Sequence, residues 1–178
     1  MDFKKIFGMG KQEKVRDRDL GSLFAALENM LAGKSVDEIK LVAGWAGLLG
    51  RVANADMELS GEEIAGIREI LEKTHGLDAA SVSAIADLLA GKRIELLSVE
   101  DHFYTRMIND VAGREEKLAL LESLFHVAAA DDIVRQNEDA TIRMISRSLF
   151  LSHDEFIEIR SKFRDKLAVL KNSKSRNS

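Results

Sequence analysis

The sequence predicts an all-α protein, and three observations support this prediction. Proline, the strongest helix breaker, is absent from all 178 residues. Apolar residues recur at spacings of three and four, as in amphipathic helices, and no long segment alternates with the period of two that a strand requires. Finally, Ser-x-x-Glu or Ser-x-x-Asp signals, which begin helices, recur along the chain. We therefore expect a single-domain bundle of about eight helices.

Start and stop signals divide the chain into these helices. Capping serines stand at Ser35, Ser60, Ser98 and Ser152, because each hydroxyl can accept a first-turn amide while the following acid reaches back. Glycine tolerates the left-handed conformation that often ends a helix, and glycines follow several of the segments. The predicted ranges are 18–32, 36–55, 61–75, 79–90, 99–112, 114–130, 138–149 and 153–170. Glycines at 44, 47 and 50 lie inside the second helix, so we expect a neighbouring helix to approach closely there.

A motif that returns 75 residues later suggests internal duplication. Residues 52–56, Val-Ala-Asn-Ala-Asp, return as residues 127–131, Val-Ala-Ala-Ala-Asp, and the register continues through Glu63 and Glu138. We expect two duplicated three-helix units, spanning about 36–90 and 114–170. Packing by pseudo-twofold symmetry would bury the apolar stripes of both units in one core.

Composition narrows the classes of function. The chain has no cysteine, which excludes disulfides, thiolate catalysis and thiolate zinc sites. The formal net charge is -4, and basic residues concentrate in the first 18 positions, so the body of the protein is acidic. An acidic body argues against a nucleic-acid partner. No apolar run approaches the roughly 20 residues that span a bilayer, and we expect a cytoplasmic location.

The two ends of the chain differ from its body. We expect residues 1–16 to form a flexible basic N-terminal segment, residues 17–171 the helical domain and residues 172–178 a disordered tail. The N-terminal segment combines Phe3, Ile6 and Phe7 with lysines, which suggests peripheral contact with an anionic membrane. A segment this short binds a membrane weakly by itself, so a loose end or a flap against a neighbouring helix is the interpretation we favour.

Two segments of the chain resemble the TerB-like family, which is named after a tellurite-resistance protein and includes the helical domain of DjlA-type membrane co-chaperones. They are residues 48–71, LLGRVANADMELSGEEIAGIREIL, and residues 121–160, which begin LESLFHVAAADD. The family pattern is a helix ending in V-A-x-A-D-G, and here Met57 and Asp132 replace the glycines. The resemblance covers about residues 36–165. It implies an all-α, internally duplicated bundle in the bacterial cytoplasm or at the inner face of the membrane.

The resemblance also implies a divalent-metal site at two acidic corners. By position, the candidate ligands are Asp56, Glu63, Asp131 and Glu138, and the neighbouring acids Glu58, Glu62, Asp132 and Asp139 would complete a negative patch. Oxygen ligands suit calcium or magnesium, although the spacing does not match an EF-hand loop. The patch could instead hold a basic partner segment.

A purely structural role is the alternative for each acid. A corner aspartate can bond to nearby loop amides, and Glu63 completes the capping box that begins at Ser60. Arg135 occupies the position that matches Ser60, so we expect Asn137 to cap the later helix. Glu138 would then be free of a capping role, which makes it the more interesting of the two glutamates.

No motif in the sequence announces a reaction. The histidines at 75, 102, 126 and 153 lack the spacing of a helical metal site, and no nucleophile elbow or nucleotide fingerprint is present. We predict a non-enzymatic module of the bacterial cytoplasm that binds a protein partner, with a stress-related role. A divalent-metal sensor or buffer is the alternative, and a hydrolytic enzyme is a third hypothesis. The sequence leaves the oligomeric state open.

Overall fold

The computed structural model describes residues 21–55, 60–91 and 94–168, and these ranges form eight α-helices. The helices are α1 Gly21–Met30, α2 Val36–Ala53, α3 Gly61–His75, α4 Ala79–Gly91, α5 Ile94–Val111, α6 Arg114–Ala128, α7 Gln136–Ser148 and α8 His153–Lys162, followed by a 3-10 helix, Arg164–Lys166. The all-α prediction is therefore confirmed over the described ranges. The predicted N-terminal segment and C-terminal tail lie outside them.

Helix α2 lies at the centre of the bundle and contacts α1 and α3 to α7. Its packing is closest against α5, where a Cβ atom added to Gly47 would lie 2.5 Å from Cδ1 of Tyr104. A Cβ added to Gly44 would lie 2.6 Å from Cδ1 of Ile108. The prediction that these glycines admit a close neighbour is confirmed, because any larger side chain would push the two helices apart.

The second half of the bundle packs around an aromatic cluster on α6. Phe125 is fully buried and stacks on Phe163 with ring centroids 5.3 Å apart. The ring of Phe156 on α8 lies 5.9 Å from the same residue. These three rings join α6, α8 and the segment after α8, and residues 166–168 of that segment lie against the loop between α6 and α7.

Backbone hydrogen bonds to residues 166–168 hold the loop between α6 and α7 in place. The Val134 N–H donates to the carbonyl of Lys166 at 2.8 Å, and the Ala168 N–H donates to the carbonyl of Val134 at 3.0 Å. The predicted helix over 153–170 was wrong in its length, since α8 ends at Lys162. Ending the helix there frees the backbone around Leu167 to form this isolated parallel bridge with Val134.

Two predicted helix starts were also wrong. Helix α5 begins at Ile94, so Ser98 lies within the helix and does not cap it. Helix α7 begins at Gln136, and its N-cap is Arg135, not Asn137. The duplication of two three-helix units with pseudo-twofold symmetry stays a prediction. No helix in the described part of the chain is long and apolar enough to span a bilayer.

Candidate functional site

At the corner between α6 and α7, three of the predicted acidic residues, Asp131, Asp132 and Asp139, each form an ion pair with a different basic residue. One carboxylate oxygen of Asp131 accepts the Ile133 N–H at 3.1 Å, and the other lies 2.7 Å from the Arg135 guanidinium. Asp132 lies 3.0 Å from the Lys166 ammonium. It adopts a φ of 66°, the left-handed conformation that aspartate reaches more easily than most residues. Aspartate therefore takes a left-handed position at this corner, where the resemblance implies a glycine.

Glu138 has a structural contact that the sequence did not predict. Its side chain is completely buried, and one carboxylate oxygen accepts the Arg135 backbone N–H at 2.6 Å. A hydrogen bond of this kind gives Glu138 the same capping role as Glu63. The expectation that Glu138 is free of a capping role was therefore wrong, because α7 begins two residues earlier than its sequence suggested.

Asp139, the fourth acid of this corner, binds Arg160 of α8 through two hydrogen bonds. The guanidinium Nε and Nη2 atoms lie 2.6 and 3.1 Å from the two carboxylate oxygens. The side chains are 15% and 22% exposed, so the pair is largely removed from solvent. A paired, two-point contact of this type positions α7 against α8 and occupies both oxygens of the carboxylate.

The corner between α2 and α3 is described only at its two sides. Asp56, Glu58 and the intervening Met57 lie outside the described residues. Glu63 is 5% exposed, accepts the Ser60 N–H at 2.8 Å and donates its own N–H to the Ser60 hydroxyl at 3.1 Å. The predicted capping box is therefore confirmed.

The described residues do not gather the candidate ligands into a metal site. Within those ranges, no group of three or more histidine, aspartate or glutamate side chains could hold a metal ion. The sites at Asp131 and Glu138 remain predictions, and both oxygens of Asp131 and one oxygen of Glu138 already contact a backbone amide or arginine. A metal at this corner would have to replace those contacts.

A groove of about 630 Å³ lies between α3 and α6, beside the two corners. Its walls are formed by Glu62, Ala65, Gly66, Glu69, Ile70, Lys73, Thr74, His126 and Ala130. Glu62 belongs to the first acidic corner, and Ala130 directly precedes Asp131 of the second. The groove therefore connects the side of α3 that begins at one corner with the end of α6 at the other.

The groove has a floor of small and aliphatic side chains and a polar rim. On the rim, Glu69 pairs with Lys73, and the hydrogen bond from that lysine lowers the pKa of the glutamate. Glu62 is exposed, and among the described residues it forms no ion pair. The sequence did not predict the groove, because Ala65 is explained by the repeat and Gly66 is explained as an interior residue of a helix. Exposed small residues on an amphipathic helix are the signal that could have revealed it.

Three of the four histidines, His75, His126 and His153, occupy different environments. His126 lines the groove and meets the ring of Phe163 edge-on, with centroids 4.9 Å apart. His75 packs edge-on against Trp45 at 5.0 Å, and burial lowers its pKa to about 4. His153 lies in the first turn of α8. In the described structure these three rings therefore contribute to different surfaces and do not form one cluster.

Comparison with known proteins gives one match. A family model described as tellurite resistance protein TerB matches residues 42–161. The matched range runs from the middle of α2 to the last turn of α8, so it includes both corners and the groove between them. No curated protein and no solved structure matches the chain.

Proposed function

Because the chain belongs to the family of the tellurite resistance protein TerB, we propose that it is a non-enzymatic interaction module of the bacterial cytoplasm. Its role would be related to stress, as tellurite resistance is, and it would act at or near the inner face of the membrane. Family membership supports the proposed cellular location and the stress-related role. The groove between α3 and α6 supports the mode of action, since it offers a binding surface beside both acidic corners.

The partner that suits this groove is a basic amphipathic helix of another protein. Ala65, Gly66 and Ala130 present little side chain, so the backbone of a bound helix can approach closely, while Ile70 supplies apolar contact. Glu62 on the rim provides a carboxylate for a lysine or arginine of the partner. The shape of the groove carries the proposal, and the charge of its rim selects a basic segment.

The predicted duplication is consistent with the same surface. The residues before α3 and α7 have nearly equal dihedral angles, -76° and 160° at Ser60 against -76° and 161° at Arg135. Because such angles are usual at helix N-caps, we rest the inference that the two corners are copies of one unit on the 75-residue sequence repeat. The copies differ at the groove, because Asn137 occupies the position in α7 that matches Glu62 in α3. In this proposal the first unit has retained the binding surface, whereas the second unit has retained the ion pairs at the corner between α6 and α7.

The repeat provides a matched control for a test of this proposal. A photo-crosslinking residue placed at Ala65 should capture one partner in the native cell, and the same residue at Ala140, its exposed counterpart on α7, should not. The substitution Ala65→Arg should then remove that partner from the purified complex, because a long cationic side chain fills the groove and repels a basic segment. Ala140→Arg should leave the complex intact.

Equal capture at the two positions, or a complex that survives Ala65→Arg, would exclude the groove as the binding surface. Circular dichroism of both arginine variants must give the wild-type helix content, since both positions are exposed. If the captured segment is acidic and not basic, the assignment of partner charge is wrong even if the groove is correct.

A divalent-metal sensor or buffer is the competing proposal, with Asp56, Glu63, Asp131 and Glu138 as candidate ligands and calcium or magnesium as the ion. The clustering of acids at the corner after α6 favours it. Calorimetric titration of metal-free protein decides between the two. Heat of binding together with a raised melting temperature at millimolar metal would support the sensor, and the absence of both would exclude it.

A further inference from the structure

The helices that follow the two corners end in the same conformation but with different residues. Helix α3 ends on Gly76 with a φ of 57°, and α7 is followed by Phe150 with a φ of 60°. After α7 the Phe150 N–H donates to the carbonyl of Arg147 and the Leu151 N–H to that of Ser146, both at 3.0 Å. These two bonds form a Schellman motif, in which glycine is the usual residue at the left-handed position. A phenylalanine there is strained by roughly 1–2 kcal/mol.

Burial does not compensate for this strain. The Phe150 side chain is 77% exposed, the highest value among the large hydrophobic residues that lie exposed in the described structure. Two further exposed hydrophobic residues belong to the flanking helices, Met144 on α7 at 47% and Ile157 on α8 at 40%. Neither the backbone nor the core therefore accounts for an aromatic ring at this position, which makes the turn between α7 and α8 a candidate contact surface.

A small basic pocket opens at the same turn. It has a volume of about 180 Å³ and is lined by Arg143, Ser146, Arg147, Leu151, Ser152, His153 and Phe156. The Arg143 guanidinium lies 4.6 Å above the centroid of the buried Phe156 ring, and this cation–π contact holds it in place. Within the described ranges, neither Arg143 nor Arg147 forms an ion pair with a carboxylate.

The nearest capping acid does not neutralise these arginines. One oxygen of Glu155 accepts hydrogen bonds from the N–H and the hydroxyl of Ser152, each at 2.7 Å. Its other oxygen pairs with Arg114 at the start of α6. The pocket therefore keeps two guanidinium groups beside the start of α8, whose positive dipole end also favours an anion.

We propose that the turn between α7 and α8 is a peripheral membrane site, in which the pocket binds the phosphate of an anionic lipid and Phe150 enters the interfacial layer. The planar guanidinium groups match a phosphate, and aromatic rings favour the boundary between apolar and wet regions. Phe150 protrudes from the surface, which suits insertion into a fluid layer better than docking against a rigid partner. A chain with a net charge of -4 gains little from general adsorption, so attachment depends on a local site. This inference does not rest on the groove between α3 and α6.

Sedimentation of the full chain with vesicles tests the proposal. The protein should bind vesicles of phosphatidylcholine mixed with phosphatidylglycerol and should not bind phosphatidylcholine alone. Arg147→Gln should weaken binding roughly fivefold, the loss of one cation near an anionic surface. Phe150→Gly should weaken it roughly tenfold through lost apolar contact. Arg68→Gln, which removes an exposed arginine from α3, should have no effect on binding.

Phe150→Gly also separates a membrane role from a folding role. Glycine relieves the left-handed strain, so this variant should unfold at a higher urea concentration than wild type while it loses vesicle binding. A variant that is less stable, or one that binds vesicles as wild type does, would overturn the proposal.

Two further experiments test whether the pocket binds an anion other than a lipid phosphate. A titration with inorganic phosphate follows the Arg143 and Arg147 side-chain N–H signals by NMR. Phosphate binding without vesicle binding would replace the membrane by a soluble phosphate ligand. A glutamate-rich peptide that binds in a Phe150-dependent manner, again without vesicle binding, would assign the turn to an acidic protein partner and overturn the membrane assignment.

Discussion

On either side of their loops, the two acidic corners have nearly the same backbone dihedral angles, but different side chains hold them. The residues that end the preceding helices, Asn54 and Ala129, share a φ of -95° and ψ values of 12° and 7°. At both corners a buried glutamate, Glu63 or Glu138, accepts the N–H of the N-cap residue. In the first corner the N-cap is Ser60, whose hydroxyl adds a second bond. In the second corner it is Arg135, which makes no side-chain bond to the first turn.

Ion pairs replace the missing hydroxyl bond in the second corner. Arg135 pairs with Asp131, Lys166 with Asp132 and Arg160 with Asp139. The first unit has Ile64 at the position that matches Asp139, so no such pair can form there. The comparison teaches that an acid at a repeated position can act by accepting hydrogen bonds from nearby backbone N–H groups. Its recurrence alone is therefore not evidence for a ligand site.

The largest expected effect is the loss of Glu138. Glu138→Ala should lower the free energy of unfolding by about 3 kcal/mol, because it empties a buried site and leaves the Arg135 N–H without this acceptor. Glu63→Ala should cost about 1–2 kcal/mol, since the Ser60 hydroxyl still caps the turn. Urea denaturation of both variants measures the difference. An equal or reversed order would mean that the corners are not held as described.

A somewhat smaller effect should follow from the loss of Arg160. Arg160→Met should destabilise the protein by about 2 kcal/mol, because the largely buried Asp139 carboxylate loses its two-point partner. A double-mutant cycle with Asp139→Asn isolates the pair, and the coupling should be about 1–2 kcal/mol. Additive effects of the two substitutions would show that the pair contributes nothing and that the second corner relies on its backbone bridge.

Acid should weaken the first unit through His75, for which the matching position in the second unit is Phe150. Burial lowers the folded-state pKa of His75 to about 4, against an ordinary value of 6.5. As the pH falls below about 6.5, the unfolded chain binds a proton that the folded protein does not accept, so stability is lost until the pH reaches about 4. We expect a loss of about 2 kcal/mol after allowing for partial exposure.

The control for this titration is His75→Gln, which does not titrate. Urea denaturation at pH 7 and at pH 4.5 gives the free energy of unfolding of each protein. The loss of this free energy between the two pH values should be larger in wild type than in the variant by that amount. The carboxylates of both proteins titrate alike, so they cancel in the comparison. An equal loss of unfolding free energy in the two proteins would show that protonation of His75 does not contribute to the pH dependence of stability.

The smallest expected effect comes from exchanging the N-cap residues. Ser60→Ala should cost about 1 kcal/mol, the usual value of a lost hydroxyl cap. Arg135→Ser should change stability by less than about 0.5 kcal/mol, because a new hydroxyl cap would offset the partly exposed pair with Asp131. Thermal unfolding resolves the first change. A large loss in Arg135→Ser would indicate that the arginine has a further structural role at this corner.

Much of the fold was predictable because its signals are local. The starts of α2, α3 and α8 follow from Ser35, Ser60 and Ser152, each of which forms its predicted capping box. The start of α7 was not predictable, since Arg135 is a poor cap and only Glu138 and the bridge to Leu167 select it. The candidate acids could be found from the repeat. Their ion pairs could not, because Asp139 and Arg160 lie on different helices.

The sequence by itself determined that this chain forms amphipathic helices, where most of them begin, and which family it belongs to. Those properties depend on residues within a few positions of one another, and a linear pattern records them. The tertiary structure alone decided that Glu138 is buried, that Ala65 and Gly66 line a groove, and that Phe150 is exposed at a turn where two arginines line a pocket. Each of these depends on which helix faces which, and that is set by the packing of the whole core.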